Sequence, residues 1–170
     1  GKYLVFLNPD VEIETEYGLK KLVEFMESSS DIGVIGPQLL NVDKTLQPSG
    51  RKFPSFFDLL YGVDPPTFSK FLRSDPFKGR DFSKTIEVDE VSGACFMVRR
   101  NIFEMVGGFD EKFFLYFEEV DLCKRVKQIG FKVYYYPKVK VIHHWGKSTV
   151  LNPLSQLYMP VSYTHLRAHE

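Results

Sequence analysis

Three acidic side chains, Glu118, Glu119 and Asp121, lie close together directly after the aromatic run FFLYF. The apolar residues that follow recur at the spacing of one helix face: Leu122, Val126 and Ile129. The acids therefore open a helix, and Glu119 shares its apolar face. A carboxylate there is partly desolvated, while the free N–H groups and positive dipole end of the first turn stabilise it. That environment suits a general base, although acids in a first turn equally form an ordinary capping cluster.

A fourth acid, Asp10, follows the continuous apolar run at residues 3–7, which is typical of a parallel strand covered on both faces. The sequence Asn-Pro-Asp ends this strand, because proline cannot continue a central ladder. Asp10 is thus predicted just beyond the carboxyl end of the strand, where ligands bind in open α/β sheets. The same tripeptide is also typical of a simple turn.

The histidines His143 and His144 end an alternating strand pattern at residues 139–143. Neighbouring side chains of a strand project to opposite faces, so at most one of the two faces the site. A single histidine there is also typical of a hydrogen-bonded structural residue. If Asp10, His143 and Glu119 meet at one sheet edge, they suit a Mn²⁺ or Mg²⁺ ion with a bound diphosphate, and a base for a hydroxyl. That set fits group transfer from a nucleoside diphosphate.

The elements that must position these residues follow a strand–helix–strand order, which predicts a parallel α/β unit. We predict a helix over 16–28, a strand over 32–36 ended by Pro37, and a hairpin or loop over 38–54. Small residues at 92–94 lead into a strand over 95–98, and Asn101 with Glu104 predicts a capped short helix. Gly130 ends the helix of the acids, and Pro137 separates strands over 132–136 and 139–143. The aromatic-rich segment 53–84 predicts either a lid or groove wall, or a packing excursion.

The 170-residue chain is long enough for one domain with a sizeable core. Lys plus Arg and Asp plus Glu both number 22, which argues against a nucleic-acid partner. The two cysteines, Cys95 and Cys123, have no metal-type spacing and are predicted to be buried thiols in a reducing cytoplasm. No apolar run has the length of a membrane span.

Four ordered motifs, LNPDVEI, VSGACFMVRR, GGFDEKFFLYFEEVDLCKRVKQIGF and VIHHWGKS, resemble those of family-2 glycosyltransferases with the GT-A fold, especially the rhamnosyltransferase-like subgroup. The resemblance covers residues 1–148. It implies an α/β, Rossmann-like fold with a mixed, mainly parallel sheet flanked by helices. Residues 1–150 would be the metal- and acceptor-binding C-terminal part of such a domain, lacking its N-terminal half. Residues 151–170 form a tail whose last ten residues we expect to be an artefact of sequencing-adapter read-through.

Carried over by motif, Asp10 corresponds to the last Asp of the metal-binding Asp-x-Asp-type motif, and His143 to a His near the metal and diphosphate. The second member of the Glu118–Glu119 pair corresponds to the catalytic base. The resemblance assigns substrate contacts to Asn8, Ser92, Gly93, Ala94 and Trp145. Glu119 stands where Asp is usual, and its extra methylene moves the carboxylate by roughly 1.5 Å, which leaves Glu118 and Glu119 as alternatives for the base.

The resemblance implies an inverting transfer of a sugar from a nucleoside-diphosphate donor to a glycan or lipid-linked acceptor in the cytoplasm, with peripheral contact at the inner membrane face. Because the missing half would normally hold the uracil or thymine base, we expect the 170-residue chain to be inactive and a longer parent active. A glycoside hydrolase is disfavoured, since Glu118 and Glu119 point about 100° apart on one helix and cannot flank a bond. The remaining alternative is a non-catalytic carbohydrate- or nucleotide-binding module, or an inactive fragment.

Overall fold

A computed structural model describes residues 1–53, 81–113 and 116–144. In chain order the elements are β1 (Tyr3–Leu7), β2 (Val11–Ile13), α1 (Gly18–Glu27), β3 (Ile32–Leu40), β4 (Leu46–Gln47), β5 (Gly50–Arg51), β6 (Ile86–Val88), β7 (Glu90–Val91), β8 (Cys95–Arg99), α2 (Arg100–Met105), α3 (Glu118–Gln128) and β9 (Lys132–His143). Residues 54–80, which are most of the aromatic-rich segment predicted to be either a lid or groove wall or a packing excursion, and the tail lie outside the described ranges. No helix within those ranges combines the length and apolar character needed to cross a bilayer.

The main sheet has the strand order β1-β8-β3-β9-β2, with β4 added to β3 and β6 added to β9. It is mixed, as expected, and helices flank it. The expectation that parallel pairs dominate is wrong for the described strands: β3 and β9 are parallel, whereas the other pairs are antiparallel. The reason is that β8 inserts between β1 and β3 and runs against both of them. Strands β1 and β3 therefore run in the same direction, as the strand–helix–strand order predicts, but they are not neighbours in the sheet.

Strand β1 differs from the buried parallel strand that its apolar run predicts. It pairs antiparallel with β8, from Tyr3 opposite Arg99 to Leu7 opposite Cys95. Its side chains are mostly half-buried. The pairing brings the end of β1 to the beginning of β8, so the residues that follow β1 meet those that precede β8.

Pro37 and Pro137 lie inside strands rather than ending them, which corrects the predictions of a strand end at Pro37 and of two strands around Pro137. In the β3–β9 ladder, Pro37 pairs with Tyr136 and the next pair is Gln38 with Lys140. The register shift lets Pro137 pass without a ladder partner, so its missing N–H leaves no broken bond. Both strands thus continue to the edge that carries His143.

The two faces of the sheet are covered by different helices. Leu22 and Met26 of α1 pack in one core cluster with Met97 of β8. Ile102 of α2 and Leu122 and Val126 of α3 pack in the other, and alternate β8 residues, Phe96 and Val98, face them. The predicted helices around residues 16–28 and 118–128 are confirmed, and α3 is held against the sheet by an apolar stripe.

The ends of α2 and α3 only partly follow the predictions. Gly130 has a φ of 91° and ends α3 as expected, but Ile129 is 42% exposed and lies off the buried face. Helix α2 begins at Arg100 without a side-chain cap, so the predicted Asn101 cap is wrong. The two cysteines, Cys95 and Cys123, are free and buried as predicted, and burial raises the pKa of the Cys95 thiol to about 12.

Candidate active site

The loop after β1 contacts the loop before β8 at one edge of the sheet. The backbone N–H of Asn8 donates a hydrogen bond to the carbonyl of Ala94 at 3.0 Å. The N–H of Ala94 donates to Oγ of Ser92 at 3.3 Å, and the N–H of Ser92 donates to the carbonyl of Ser49 at 3.0 Å. Asn8 and the segment Ser92–Ala94, which the motifs assigned to substrate binding, are therefore adjacent.

Glu119 reaches this edge from α3. Its Oε1 accepts a hydrogen bond from the backbone N–H of Gly93 at 3.3 Å. A Cβ atom added at Gly93 would lie 3.2 Å from Cδ of Glu119, which is tighter than ordinary packing. Only glycine lets the carboxylate approach the backbone this closely without displacement.

Helix α3 begins with an unusual backbone. Tyr116 and Phe117 both adopt the left-handed conformation, with φ values of 67° and 69°. Bulky residues rarely adopt this conformation, and such strain concentrates at functional sites. Glu118 and Glu119 follow directly and occupy the first turn, where the helix dipole stabilises negative charge.

Glu118 lies partly buried beside Glu119 in the first turn of α3. Burial, and secondarily the charge of Glu119, raises the pKa of the Glu118 carboxyl. Its Oε2 is buried and has no hydrogen-bond partner among the described residues. The two neighbouring carboxyls therefore have distinct surroundings, since Glu119 accepts a backbone hydrogen bond and Glu118 has an unpartnered buried oxygen.

Asp10 and His143 form a second group at the same edge. Nε2 of His143 lies 3.6 Å from Oδ1 of Asp10, and their side chains are only 11% and 19% exposed. The antiparallel pairing of Val11 with His143 and a hydrogen bond from the N–H of His144 to the carbonyl of Asp10, at 2.9 Å, hold the two segments together. Burial lowers the pKa of His143, although the charge of Asp10 opposes the shift.

A contact that the sequence did not predict holds the other side of the His143 ring. Nδ1 of His143 lies 3.0 Å from Oε1 of Gln47, a buried residue of β4. Gln47 follows a turn and belongs to a two-residue strand, so neither periodicity nor a motif marks it. The alternation at residues 139–143 places His143 on the inward side of its strand. That pattern indicates that the imidazole needs a buried hydrogen-bond partner, but it does not identify Gln47.

The Asp10–His143 pair fits a divalent cation as far as the described residues show. Oδ1 of Asp10 is buried without a hydrogen-bond partner, and two ligand atoms 3.6 Å apart can both reach an ion whose ligand distances are about 2.1 Å. No group of three or more His, Cys, Asp or Glu side chains suited to a metal occurs in the ranges that the structure covers. Further oxygens would have to come from a diphosphate or water, as is usual for Mg²⁺.

A cleft of about 380 Å³ opens beside the carboxyl end of β1. Its lining is partly aromatic and partly acidic: Phe6, Leu7, Asn8, Gly93, Phe96, Phe109, Asp110, Glu111, Phe113, Glu118 and Glu119. Asn8, Gly93 and both glutamates thus share one cavity, and the Asn8–Asp10 loop connects it to His143. Asp110 and Glu111 were not predicted as lining residues. Trp145, predicted to bind substrate, lies outside the described residues.

The most deeply buried acid of α3 is Asp121 rather than Glu119. Asp121 is fully buried, and its Oδ2 accepts a hydrogen bond from Nε of Arg125 at 2.8 Å. Arg125 also donates to the carbonyls of Val106 and Gly108. Asp121 therefore has a structural role, and Glu119 is only partly buried at the cleft.

The family model described as Glycosyl transferase family 2 matches residues 1–107, and one described as the N-terminal domain of galactosyltransferase matches residues 77–147. The chain belongs to glycosyl transferase family 2, as its motifs suggested. It is 32% identical over 163 residues to the N-acetylglucosaminyl-diphospho-decaprenol L-rhamnosyltransferase of Mycobacterium tuberculosis (strain H37Rv), covering 91% of this chain and 51% of that protein.

The rhamnosyltransferase likeness recurs in a second relative. The chain is 28% identical over 143 residues to rhamnosyltransferase WbbL of Escherichia coli K12, covering 84% of this chain and 52% of the relative. It therefore spans about half the length of the curated relatives it matches. A crystal structure of GalNAc-T7 with UDP, GalNAc and Mn²⁺ superposes with a TM-score of 0.58 at 19% identity, over 85% of this chain and 28% of that one. This likeness supports the GT-A fold.

Proposed function

We propose that the chain forms the metal- and acceptor-binding part of an inverting glycosyltransferase, which moves a sugar from a nucleoside diphosphate to a hydroxyl group. The observation that carries the proposal is the position of Glu119, whose carboxylate is fixed by Gly93 in a cleft that Asn8 also lines. Two residues further along that loop, Asp10 faces His143. A base and a pair of potential cation ligands thus flank the same short loop.

In the proposed reaction Glu119 is the base. Its carboxylate accepts the proton of the acceptor hydroxyl while the hydroxyl oxygen forms a bond to the anomeric carbon. The bond between that carbon and the diphosphate oxygen breaks, and its electron pair leaves with the diphosphate. Because one displacement occurs from the face opposite the leaving group, the anomeric configuration inverts and no covalent enzyme intermediate forms.

Asp10 and His143 are proposed to hold Mn²⁺ or Mg²⁺ together with the donor diphosphate. Such an ion neutralises negative charge on the leaving group. Asn8, Ser92, Gly93, Ala94 and Trp145 are proposed to contact the substrates. Of these, Asn8 and Gly93 line the cleft, and the hydrogen bond between Asn8 and Ala94 keeps the two loops in register.

Glu119 is preferred over Glu118 as the base because a hydrogen bond from the N–H of Gly93 orients its carboxylate, whereas Oε2 of Glu118 is buried without a hydrogen-bond partner among the described residues. A carboxylate held in one orientation beside the cleft can accept the proton of a hydroxyl group bound there. We propose that Glu118 instead shapes the electrostatics of the cleft.

The substrate class is proposed from the relatives. One is an L-rhamnosyltransferase whose name specifies an N-acetylglucosaminyl-diphospho-decaprenol acceptor, so L-rhamnose donors and lipid-linked or glycan acceptors are the first to test. A lipid-linked acceptor would bring the protein to the cytoplasmic face of a membrane as a peripheral partner. Residues 1–150 would form the metal- and acceptor-binding part, and the last ten of residues 151–170 are not proposed to contribute.

The test compares the 170-residue chain with the longer gene product that the motif resemblance leads us to expect. Transfer from dTDP- and UDP-linked sugars to a lipid-linked glycan is measured with Mn²⁺, Mg²⁺ or a chelator, and the anomeric configuration of the product is determined by NMR. The proposal expects metal-dependent transfer with inversion by the full product and little or none by the 170-residue chain. Metal-independent sugar binding without transfer by either would instead establish a binding module.

A further inference from the structure

Gln47 makes three hydrogen-bonding contacts through one buried amide. Its Nε2 donates to Oδ1 of Asn41 at 2.6 Å and to the backbone carbonyl of His143 at 3.0 Å. Its Oε1 lies 3.0 Å from Nδ1 of the His143 ring. Gln47 is only 5% exposed, so the amide exchanges none of these contacts for bulk water.

The orientation of this amide is determined by groups that can only accept. A backbone carbonyl has no proton to donate, so the NH₂ group of Gln47 must face the carbonyl of His143. Asn41 is oriented independently. The Thr45 hydroxyl donates to the Asp43 carboxylate and therefore accepts from Nδ2 of Asn41, which turns Oδ1 of Asn41 towards Gln47. Hydrogen bonds from the Thr45 side chain and backbone hold the pKa of Asp43 below its usual range.

Because its NH₂ group donates to Asn41 and to the carbonyl of His143, Gln47 presents only its side-chain carbonyl oxygen to the imidazole. Nδ1 of His143 must therefore carry a proton to make that hydrogen bond. In a neutral ring Nε2 then has a lone pair, and it faces Oδ1 of Asp10 at 3.6 Å. That separation exceeds a hydrogen bond, and Oδ1 is buried without a hydrogen-bond partner in the described part of the chain. Two electron-pair donors thus face each other with no proton between them.

We propose that Gln47 is a positioning residue of the metal site, which holds His143 as the Nδ1–H tautomer so that Nε2 faces Asp10 as a ready cation ligand. This inference rests on the proposed function for the identity of the cation but not for the tautomer. An outer hydrogen-bond acceptor on a ligating imidazole commonly fixes the tautomer and ring orientation in this way.

The tautomer can be measured without any metal. A two-bond ¹H–¹⁵N correlation spectrum of the ¹⁵N-labelled chain, at a pH where the ring is neutral, distinguishes a protonated Nδ1 from a protonated Nε2. The signals of His143 are identified by their loss in His143→Asn. The proposal expects a single Nδ1–H tautomer in the wild type, and a protonated Nε2 in the wild type would overturn it.

Three variants test the role of Gln47. Gln47→Met keeps the length but removes the acceptor, so His143 should become a mixture of tautomers. Gln47→Glu keeps an acceptor and should retain Nδ1–H. Thr45→Val is the matched control, because it releases Asn41 but keeps the backbone carbonyl of His143, which by itself requires the NH₂ group of Gln47 to face it; it should retain Nδ1–H. An unchanged tautomer in a folded Gln47→Met, or a lost one in Thr45→Val, contradicts the proposal.

Cation affinity supplies the second measurement, with Mn²⁺ and inorganic pyrophosphate as the probe and electron paramagnetic resonance as the readout. Gln47→Met should weaken Mn²⁺ binding about 10- to 100-fold, and Thr45→Val should leave it unchanged. If Asp10→Ala removes binding but Gln47→Met does not, Gln47 has no positioning role and the transferase proposal still stands. If the tautomer and Mn²⁺ results hold but no sugar is transferred, the proposed function fails and the inference about Gln47 does not.

Discussion

The backbone N–H of Gly93 donates a hydrogen bond to Oε1 of Glu119, joining the loop before β8 to the first turn of α3 across 26 residues of sequence. The carboxylate lies so close to the backbone that a Cβ atom at position 93 would be 3.2 Å from the carboxyl carbon of Glu119. The chemistry proposed for Glu119 therefore depends on a residue whose contribution is the absence of a side chain.

The first prediction concerns Gly93→Ala. The added methyl group should displace the Glu119 carboxylate by a few tenths of an ångström or rotate it out of the cleft, so kcat for sugar transfer should fall about 10- to 100-fold. Steady-state kinetics of the full gene product measure this loss.

Gly33→Ala is the control for general damage. Its Cβ would meet Cγ1 of Val126 at 2.7 Å, inside the core and away from Glu119. It should lower the melting temperature more than Gly93→Ala does, with a smaller effect on kcat at a temperature where both are folded. The opposite ranking in kcat would show that Gly93 acts only through stability.

The second prediction concerns Asp10→Asn. Loss of the carboxylate charge should weaken Mn²⁺-dependent pyrophosphate binding by more than the roughly 10- to 100-fold that removal of an outer hydrogen-bond partner costs. Isothermal titration calorimetry with and without Mn²⁺ measures the difference. Asp31→Asn is the matched control, since Asp31 pairs with Lys132 at the opposite ends of β3 and β9 from His143. Equal affinity in Asp10→Asn and wild type would remove Asp10 from the site.

The third prediction concerns Glu118 and stability. Its folded pKa is raised by burial and by the charge of Glu119, so the folded state holds a proton that the unfolded state releases between the two pKa values. Stability therefore falls as pH rises through that window, and above it the full cost of a buried charge remains. Glu118→Gln should raise the melting temperature by about 2 °C at neutral pH, with the gain vanishing below about pH 4. Calorimetry that finds the gain largest in acid would contradict the assignment.

The fourth prediction concerns the pair of Asp121 and Arg125. Arg125→Met leaves a fully buried carboxylate without its bonds from Arg125 and removes two hydrogen bonds to the carbonyls of Val106 and Gly108. It should lower the free energy of unfolding by about 3 kcal/mol, measured in urea. Lys20→Met breaks an exposed pair with Glu24 and should change it by less than about 1 kcal/mol. Similar losses in the free energy of unfolding for the two variants would show that burial does not strengthen the contribution of the ion pair between Asp121 and Arg125.

The helices could be predicted from the sequence because their apolar periodicity and the terminal Gly130 are local signals. Strand pairing could not, since Pro37 and Pro137 read as strand ends, whereas a shared register shift lets both strands continue. The direction of β1 also escaped prediction. Its apolar run indicates burial but does not indicate which strand pairs with it. The insertion of β8 between β1 and β3 depends on contacts between residues far apart in the sequence.

At the site, the motif residues indicated which loops would meet, and the structure brings Asn8, Gly93 and Glu119 to one cleft. Periodicity alone ranked Glu119 as the inward acid, but Asp121 takes the buried position because Arg125 can neutralise it one turn later. Gln47 was not predicted, because its role depends on a contact with His143, 96 residues away in the sequence. The two-residue strand that contains Gln47 is too short to show a periodic pattern.

The most direct test of the central claim is the transfer rate of Glu119→Gln in the full gene product, measured by single-turnover kinetics at saturating donor, acceptor and Mn²⁺. The amide keeps the size and the acceptor for the N–H of Gly93 but cannot take a proton, so the rate should fall about 10²- to 10⁴-fold while donor affinity is retained. The transfer rate of Glu118→Gln should fall far less than that of Glu119→Gln. A Glu119→Gln enzyme that transfers sugar at the wild-type rate would contradict the account.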